Sequence, residues 1–145
     1  MSIDSLDIQK WIQFAEQDYD LVTAIMETHS PYPIPVNIVC YHCQQSVEKI
    51  LKAYLLAQGN TLEKTHDLKA LLEQCCRYSS DFDSFKTACI KLTSYISSSR
   101  YPSDTEILEQ DMKLSIQAAG KILEFTKSKL EELGFANVTQ RVRPD

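Results

Sequence analysis

The sequence predicts an all-α protein, an up-and-down antiparallel bundle of about five helices in which a four-helix core is joined by one short helix. Three observations predict it. The 145 residues hold only 3 glycines and 5 prolines, so structure-breaking positions are few. Between them, apolar residues recur at intervals of three and four, the period of a helix with one buried face. The connections left between the periodic segments are short, which favours antiparallel neighbours.

The first helix is expected from Leu6 to Thr28. Ile8, Trp11, Ala15, Val22 and Ile25 share one face, while Gln9, Lys10, Gln13, Gln17 and Asp20 lie elsewhere. The following run, His29-Ser30-Pro31-Tyr32-Pro33-Ile34-Pro35, ends it, because proline lacks the amide donor and disfavours helix in the residue before it. A second helix from Val36 to Gln58 carries Val36, Cys40, Cys43, Val47, Ile50 and Tyr54 on one stripe, with Gly59-Asn60 as its stop. Thr65 is the expected cap of a short third helix holding Leu68, Leu71, Leu72 and Cys75 and ending near Arg77. Asp81 is the expected cap of a fourth, built on Phe82, Phe85, Cys89, Leu92 and Ile96. Ser103 and Glu106 have the spacing of a capping box, which predicts a long fifth helix running to Leu133, where Gly134 stops it.

Length and composition bound the rest. A chain that is 43% hydrophobic and 24% charged, at this size, suits one domain with one core, here residues 1–133, followed by a polar tail over 134–145. No stretch approaches the roughly 18 uncharged apolar residues of a membrane span. The N-terminus opens with Asp4 and Asp7 rather than a basic region and an apolar run, so no membrane association and a cytoplasmic location are expected. A formal net charge of -5 argues against general nucleic-acid binding, which relies on Lys and Arg displacing counterions. Cys40, Cys43, Cys75, Cys76 and Cys89 are odd in number and fall inside helical segments, so they read as reduced thiols.

The densest polar constellation is on the second helix. His42, Gln45, Lys49 and Lys52 are spaced three, four and three, and so project from one side, where they could line a cleft for an anion or a nucleotide. The plain alternative is the solvated side of an amphipathic helix, with Glu48 and Lys52 as an ordinary intrahelical ion pair. Arg100-Tyr101-Pro102 joins a guanidinium suited to phosphate with a ring that could stack on a base; a rigid turn explains it equally well. Cys40 and Cys43 flank His42, but structural zinc needs about four ligands and no second pair is present. The cysteines are better read as small apolar residues. His66-Asp67 could form an acid–base pair, although a capping or loop-packing histidine is the simpler reading. A phosphate-binding glycine loop, paired catalytic carboxylates and a nucleophile elbow are all missing, and neither a metal nor a cofactor is expected.

The segments Tyr41-His42-Cys43-Gln44-Gln45-Ser46-Val47-Glu48-Lys49-Ile50-Leu51-Lys52-Ala53, Thr65-His66-Asp67-Leu68 and Arg100-Tyr101-Pro102 resemble, in order and spacing, the hallmark stretches of HEPN domains (higher eukaryotes and prokaryotes nucleotide-binding). The likeness extends from the first helix to about Leu130. It implies a helical bundle that commonly homodimerises, and a chain of the kind often encoded beside a minimal nucleotidyltransferase, as in toxin–antitoxin pairs. It also implies nucleotide binding, with His42, Gln45, Lys49 and Arg100 near a shared cleft; Lys52 and Tyr101 are the neighbouring candidates. Many HEPN proteins are metal-independent ribonucleases that use an arginine followed four to six residues later by a histidine. Here Arg77, Arg100, Arg141 and Arg143 all follow the last histidine, His66, so that motif is absent. The resulting expectation is a noncatalytic binding module. An atypical ribonuclease using His42 or His66 as base, and a purely structural interaction module, are the alternatives.

Overall fold

The computed structural model describes residues 5–28, 30–95 and 106–135. The chain forms α1 (Ser5–Glu27), α2 (Val36–Ala57), α3 (Leu68–Cys76), a 3-10 turn (Ser80–Phe85), α4 (Lys86–Thr93) and α5 (Glu109–Glu132). No strand occurs among the described residues.

Helix α2 is the axis of the bundle. Its predicted stripe is buried from Cys40 to Tyr54, but so are Val39, Leu51, Ala53 and Leu55, together with the polar Gln44, Ser46, Glu48 and Lys52. The burial has a simple cause: α1 and α5 pack along it and α3 and α4 cover what remains. Cross-helix bonds fix the directions. Ser46 Oγ donates to the Ala15 carbonyl and His42 reaches Asp18, so α1 and α2 are antiparallel. Tyr19 Oη donates to the Ile116 carbonyl, and the ammonium of Lys127 lies 3.7 Å from the buried Glu16 carboxylate, so α1 and α5 are antiparallel as well. Lys91 meets Asp111 while Phe85 meets Phe125, which sets α4 against α5 in the same sense. The core helices α1, α2, α4 and α5 therefore alternate in direction.

Between α2 and α5, Tyr54, Phe82, Phe125 and Phe85 form an aromatic column with successive ring centroids 4.8, 5.0 and 5.2 Å apart. Phe82 is fully buried, and burying such a side chain contributes roughly 1.5–3 kcal/mol. Gly120 lets α1 approach α5: a Cβ there would sit 2.5 Å from Tyr19 Oη. Gly59, at φ +87°, ends α2 as expected, its amide donating to Leu56 and that of Asn60 to Leu55.

Three helix starts differ from the sequence expectation. The cap of α3 is Asp67, not Thr65: Asp67 Oδ1 accepts from the amides of Lys69 and Ala70, while Thr65 Oγ1 accepts from the Asp67 amide in the turn before it. Asp81 does not open α4, because Ser80–Phe85 winds as a 3-10 turn that drives Phe82 into the core, and α4 begins at Lys86. Ile96 lies outside the described residues. Helix α5 begins at Glu109 instead of following a Ser103–Glu106 box: Asp111 Oδ2 accepts from the Leu108 amide, and Glu106 precedes the helix. Ile107 packs on the core just ahead of the extended Leu108, so a tertiary contact outweighs the local capping signal. Ser103 lies outside the described residues.

Candidate functional site

The polar residues of α2 gather around two carboxylates. The first is Asp18, midway along α1. Its Oδ1 lies 2.9 Å from His42 Nδ1 and its Oδ2 accepts from Lys49 Nζ at 2.6 Å. The side chains of His42 and Lys49 each keep 25% of their exposure and that of Asp18 keeps 12%, so this cluster opens to solvent along one edge. Gln45 stands beside it, donating through Nε2 to Gln44 Oε1 at 2.8 Å.

The second carboxylate is Glu48 on α2, with only 5% of its side chain exposed. Oε2 takes Lys52 Nζ at 3.3 Å, while Oε1 lies 2.8 Å from His66 Nδ1 and 3.3 Å from Gln44 Nε2. Gln44 also donates to the His66 carbonyl, which ties the segment before α3 onto α2. The side chain of His66 is 59% exposed, so a buried carboxylate fixes the Nδ1 edge of a largely exposed imidazole. Lys52, itself buried, sits 5.8 Å from the centre of the Trp11 ring.

Sequence spacing placed His42, Gln45, Lys49 and Lys52 on one side of the helix; the structure divides them. His42 and Lys49 meet at Asp18, Gln45 adjoins them, and Lys52 turns to Glu48. The Glu48–Lys52 pair is present, but as part of a buried network rather than a solvated helix face. The partner of His66 is Glu48, not its neighbour Asp67. Arg100 and Tyr101 lie outside the described residues.

Asp18 was not singled out from the sequence, although a signal for it existed. It fills the place between Ala15 and Val22 in the stripe Ile8, Trp11, Ala15, Val22, Ile25, a charged residue at an apolar position. Gln44 and Glu48 likewise continue the spacing of Leu51 and Leu55.

The cysteines take no part in either cluster. Cys40, Cys43, Cys75 and Cys89 are buried and none is disulfide-bonded. Burial in apolar surroundings pushes the thiols of Cys43 and Cys89 up to about 12, so they stay protonated at neutral pH and are poor nucleophiles. Among the described residues no group of side chains has the makings of a metal site, and no helix is long and apolar enough to cross a membrane.

A cleft of about 660 Å³ opens beside the Asp18 cluster, between the first turns of α1, the end of α2 and the chain after it. Its walls include Trp11, Phe14, Leu56 and Leu62, with Lys10 and Lys49 at the polar margin.

A bundle of antiparallel helices around a central helix with an internal polar network defines the class, and comparison supplies the family. The family model described as the HEPN domain matches residues 8–130. The chain belongs to the HEPN family. Its fold is similar to that in the crystal structure of an archaeal HEPN homologue, with a TM-score of 0.62 and 22% identity over 85% of this chain and 97% of that one. No curated protein matches the chain.

Proposed function

We propose that this HEPN chain is a noncatalytic binding module that takes a nucleotide, a nucleotidyltransferase partner, or both, at the open edge of the Asp18 cluster. The observation that carries this reading is the partly exposed His42–Asp18–Lys49 arrangement with Gln45 alongside. Asp18 already balances the lysine charge, so the edge offers oriented hydrogen-bonding groups rather than surplus positive charge. Such an edge suits the donor and acceptor pattern of a base or of a partner's polar surface better than a polyanionic backbone. Residues Arg100 and Tyr101 are assigned to the same surface on the family resemblance alone. Homodimerisation and a role in a toxin–antitoxin-like pair belong to this reading too.

Nitrogen-15 labelling tests it. ATP or GTP at about 1 mM, a weak-binding regime, is expected to shift the amide resonances of His42, Gln45 and Lys49, and Asp18→Ala to abolish the shifts. Unmoved resonances would remove the nucleotide half. Copurification with an adjacently encoded minimal nucleotidyltransferase, lost in His42→Glu, tests the other half, and sedimentation equilibrium tests the dimer.

One observation favours the ribonuclease alternative. Glu48 holds His66 by Nδ1, which leaves Nε2 to face solvent as a histidine base would. Incubation with total RNA decides it: cleavage by the native protein that His66→Ala abolishes would replace the noncatalytic reading, and intact RNA would leave it standing.

A further inference from the structure

The cleft beside α1 shares Lys49 with the Asp18 cluster and Trp11 with the surroundings of Lys52, but its other walls belong to neither polar cluster. Its volume, about 660 Å³, lies inside the roughly 300–1,000 Å³ of small-molecule sites. Trp11 and Phe14 stand one helical turn apart on α1 and face Leu56 at the end of α2 and Leu62 beyond it, so the walls are flat rings and branched aliphatics. Phe14 is 48% exposed and lines the cleft, so its ring is open to a ligand there. The amides of Gly59 and Asn60 are spent on capping α2, and the Asn60 side chain is spent on Tyr78. Lys49 is neutralised by Asp18. Lys10 is different: among the described residues its ammonium has no ion pair or hydrogen bond, and it stands at the rim one residue from Trp11. Asp7, on the same side of α1 one turn earlier, is likewise without a partner among the described residues.

We infer that this cleft is a small-molecule site for a flat aromatic ring bearing one anionic group, the ring lying between Trp11, Phe14, Leu56 and Leu62 and the anion meeting Lys10. Ring-on-ring contact supplies the area and the direction. Lys10 supplies the charge selectivity, and Asp7 can accept from a donor on the ring or its substituent. Two sources share this chemistry, a nucleoside monophosphate and an aromatic carboxylate. Lys49 borders both places, but the inference rests on Lys10 and the apolar walls and not on the Asp18 edge, so each can fail without the other.

Trp11 is the single tryptophan of the chain and forms a wall of the cleft, so its fluorescence reports occupancy directly. The probes are AMP and indole-3-acetate as anions, with adenosine and benzyl alcohol as neutral rings. Indole-3-acetate, itself fluorescent, is followed by competition against AMP and by calorimetry. The expected result is saturable binding of at least one anion with a dissociation constant of about 1 mM or tighter, weaker by about fivefold in Lys10→Ala and lost in Phe14→Asp. Lys10 and Phe14 are both exposed, and circular dichroism verifies that the variants fold. Binding in Lys113→Ala, a change on the exposed face of α5, should match the native protein, and the Trp11 signal reads the cleft rather than the Asp18 edge. Response to AMP alone identifies the phosphate source and response to indole-3-acetate alone the carboxylate source. No response to either anion, equal binding of neutral and anionic rings, or indifference to Lys10→Ala would each overturn the inference.

Discussion

Asp18 and Glu48 are both carboxylates drawn between helices, and each holds one lysine and one histidine, yet their surroundings differ. Asp18 sits at an open edge, with partners on α2 that keep a quarter of their exposure. Glu48 is enclosed, and its lysine is enclosed with it; only the histidine reaches outward. The same pair of partner types therefore gives a solvent-facing edge in one place and an enclosed clamp in the other. Solvent makes the difference. An exposed ion pair exchanges water contacts for nearly equal ones, whereas a buried one must satisfy each charge internally or lose several kcal/mol.

The largest expected effect comes from breaking the enclosed cluster on one side. Glu48→Ala leaves the buried Lys52 ammonium without its carboxylate and should destabilise the fold by about 3–5 kcal/mol, read from urea unfolding. Replacing both charges, with Glu48→Leu and Lys52→Met, should recover most of that loss, since apolar packing can substitute for a buried pair. If the double variant were as unstable as Glu48→Ala, the clamp would depend on Gln44 and His66 more than on charge.

At the open edge, Asp18→Asn should cost less, about 1–2 kcal/mol, because water can take over the freed partners His42 and Lys49. A loss as large as that of Glu48→Ala would erase the distinction drawn between the two carboxylates. His66→Ala should cost about 1 kcal/mol or less in the same unfolding measurement, its imidazole being mostly exposed. At the low end of the scale, Lys113→Ala removes an exposed i,i+4 contact to Glu109 and should change stability by less than about 0.5 kcal/mol.

Thiol reactivity sharpens the comparison from another direction. Cys43 and Cys89, with thiols pushed up to about 12 by burial, should resist alkylation at pH 8 in the folded protein, since almost none of either is thiolate there. Cys76 is only partly buried and should react first. Mass spectrometry of the alkylated protein locates the label. Early modification of Cys43 would mean that the α1–α2 seam opens under native conditions.

Much of the fold was legible in the residues. The stripe of α2 carries the three-and-four spacing through every turn and that of α1 breaks only at Asp18, and Gly59 marks the end of α2 because only a residue tolerant of positive φ fits the closing turn. Helix starts were read less well. Thr65, Asp81 and Ser103 are each plausible caps by type, but a cap is chosen by where the first turn lands, and Asp67, Phe82 and Ile107 set that landing through local geometry or burial. Of the candidate site, the His42–Lys49 pairing was legible as a shared helix side, while the carboxylate that joins them was not.

The sequence by itself determined the all-helical class, the apolar stripe of α2 and the inward-facing Cys40, Cys43, Cys75 and Cys89, because these follow from periodicity and side-chain chemistry within one helix. The tertiary structure alone decided which charges meet. Asp18 lies 24 residues from His42, and Glu48 lies 18 from His66. Partners at such separations are set by how helices pack, not by spacing along any one of them. For the same reason the cleft at Trp11 appears only once α1 and the end of α2 are side by side.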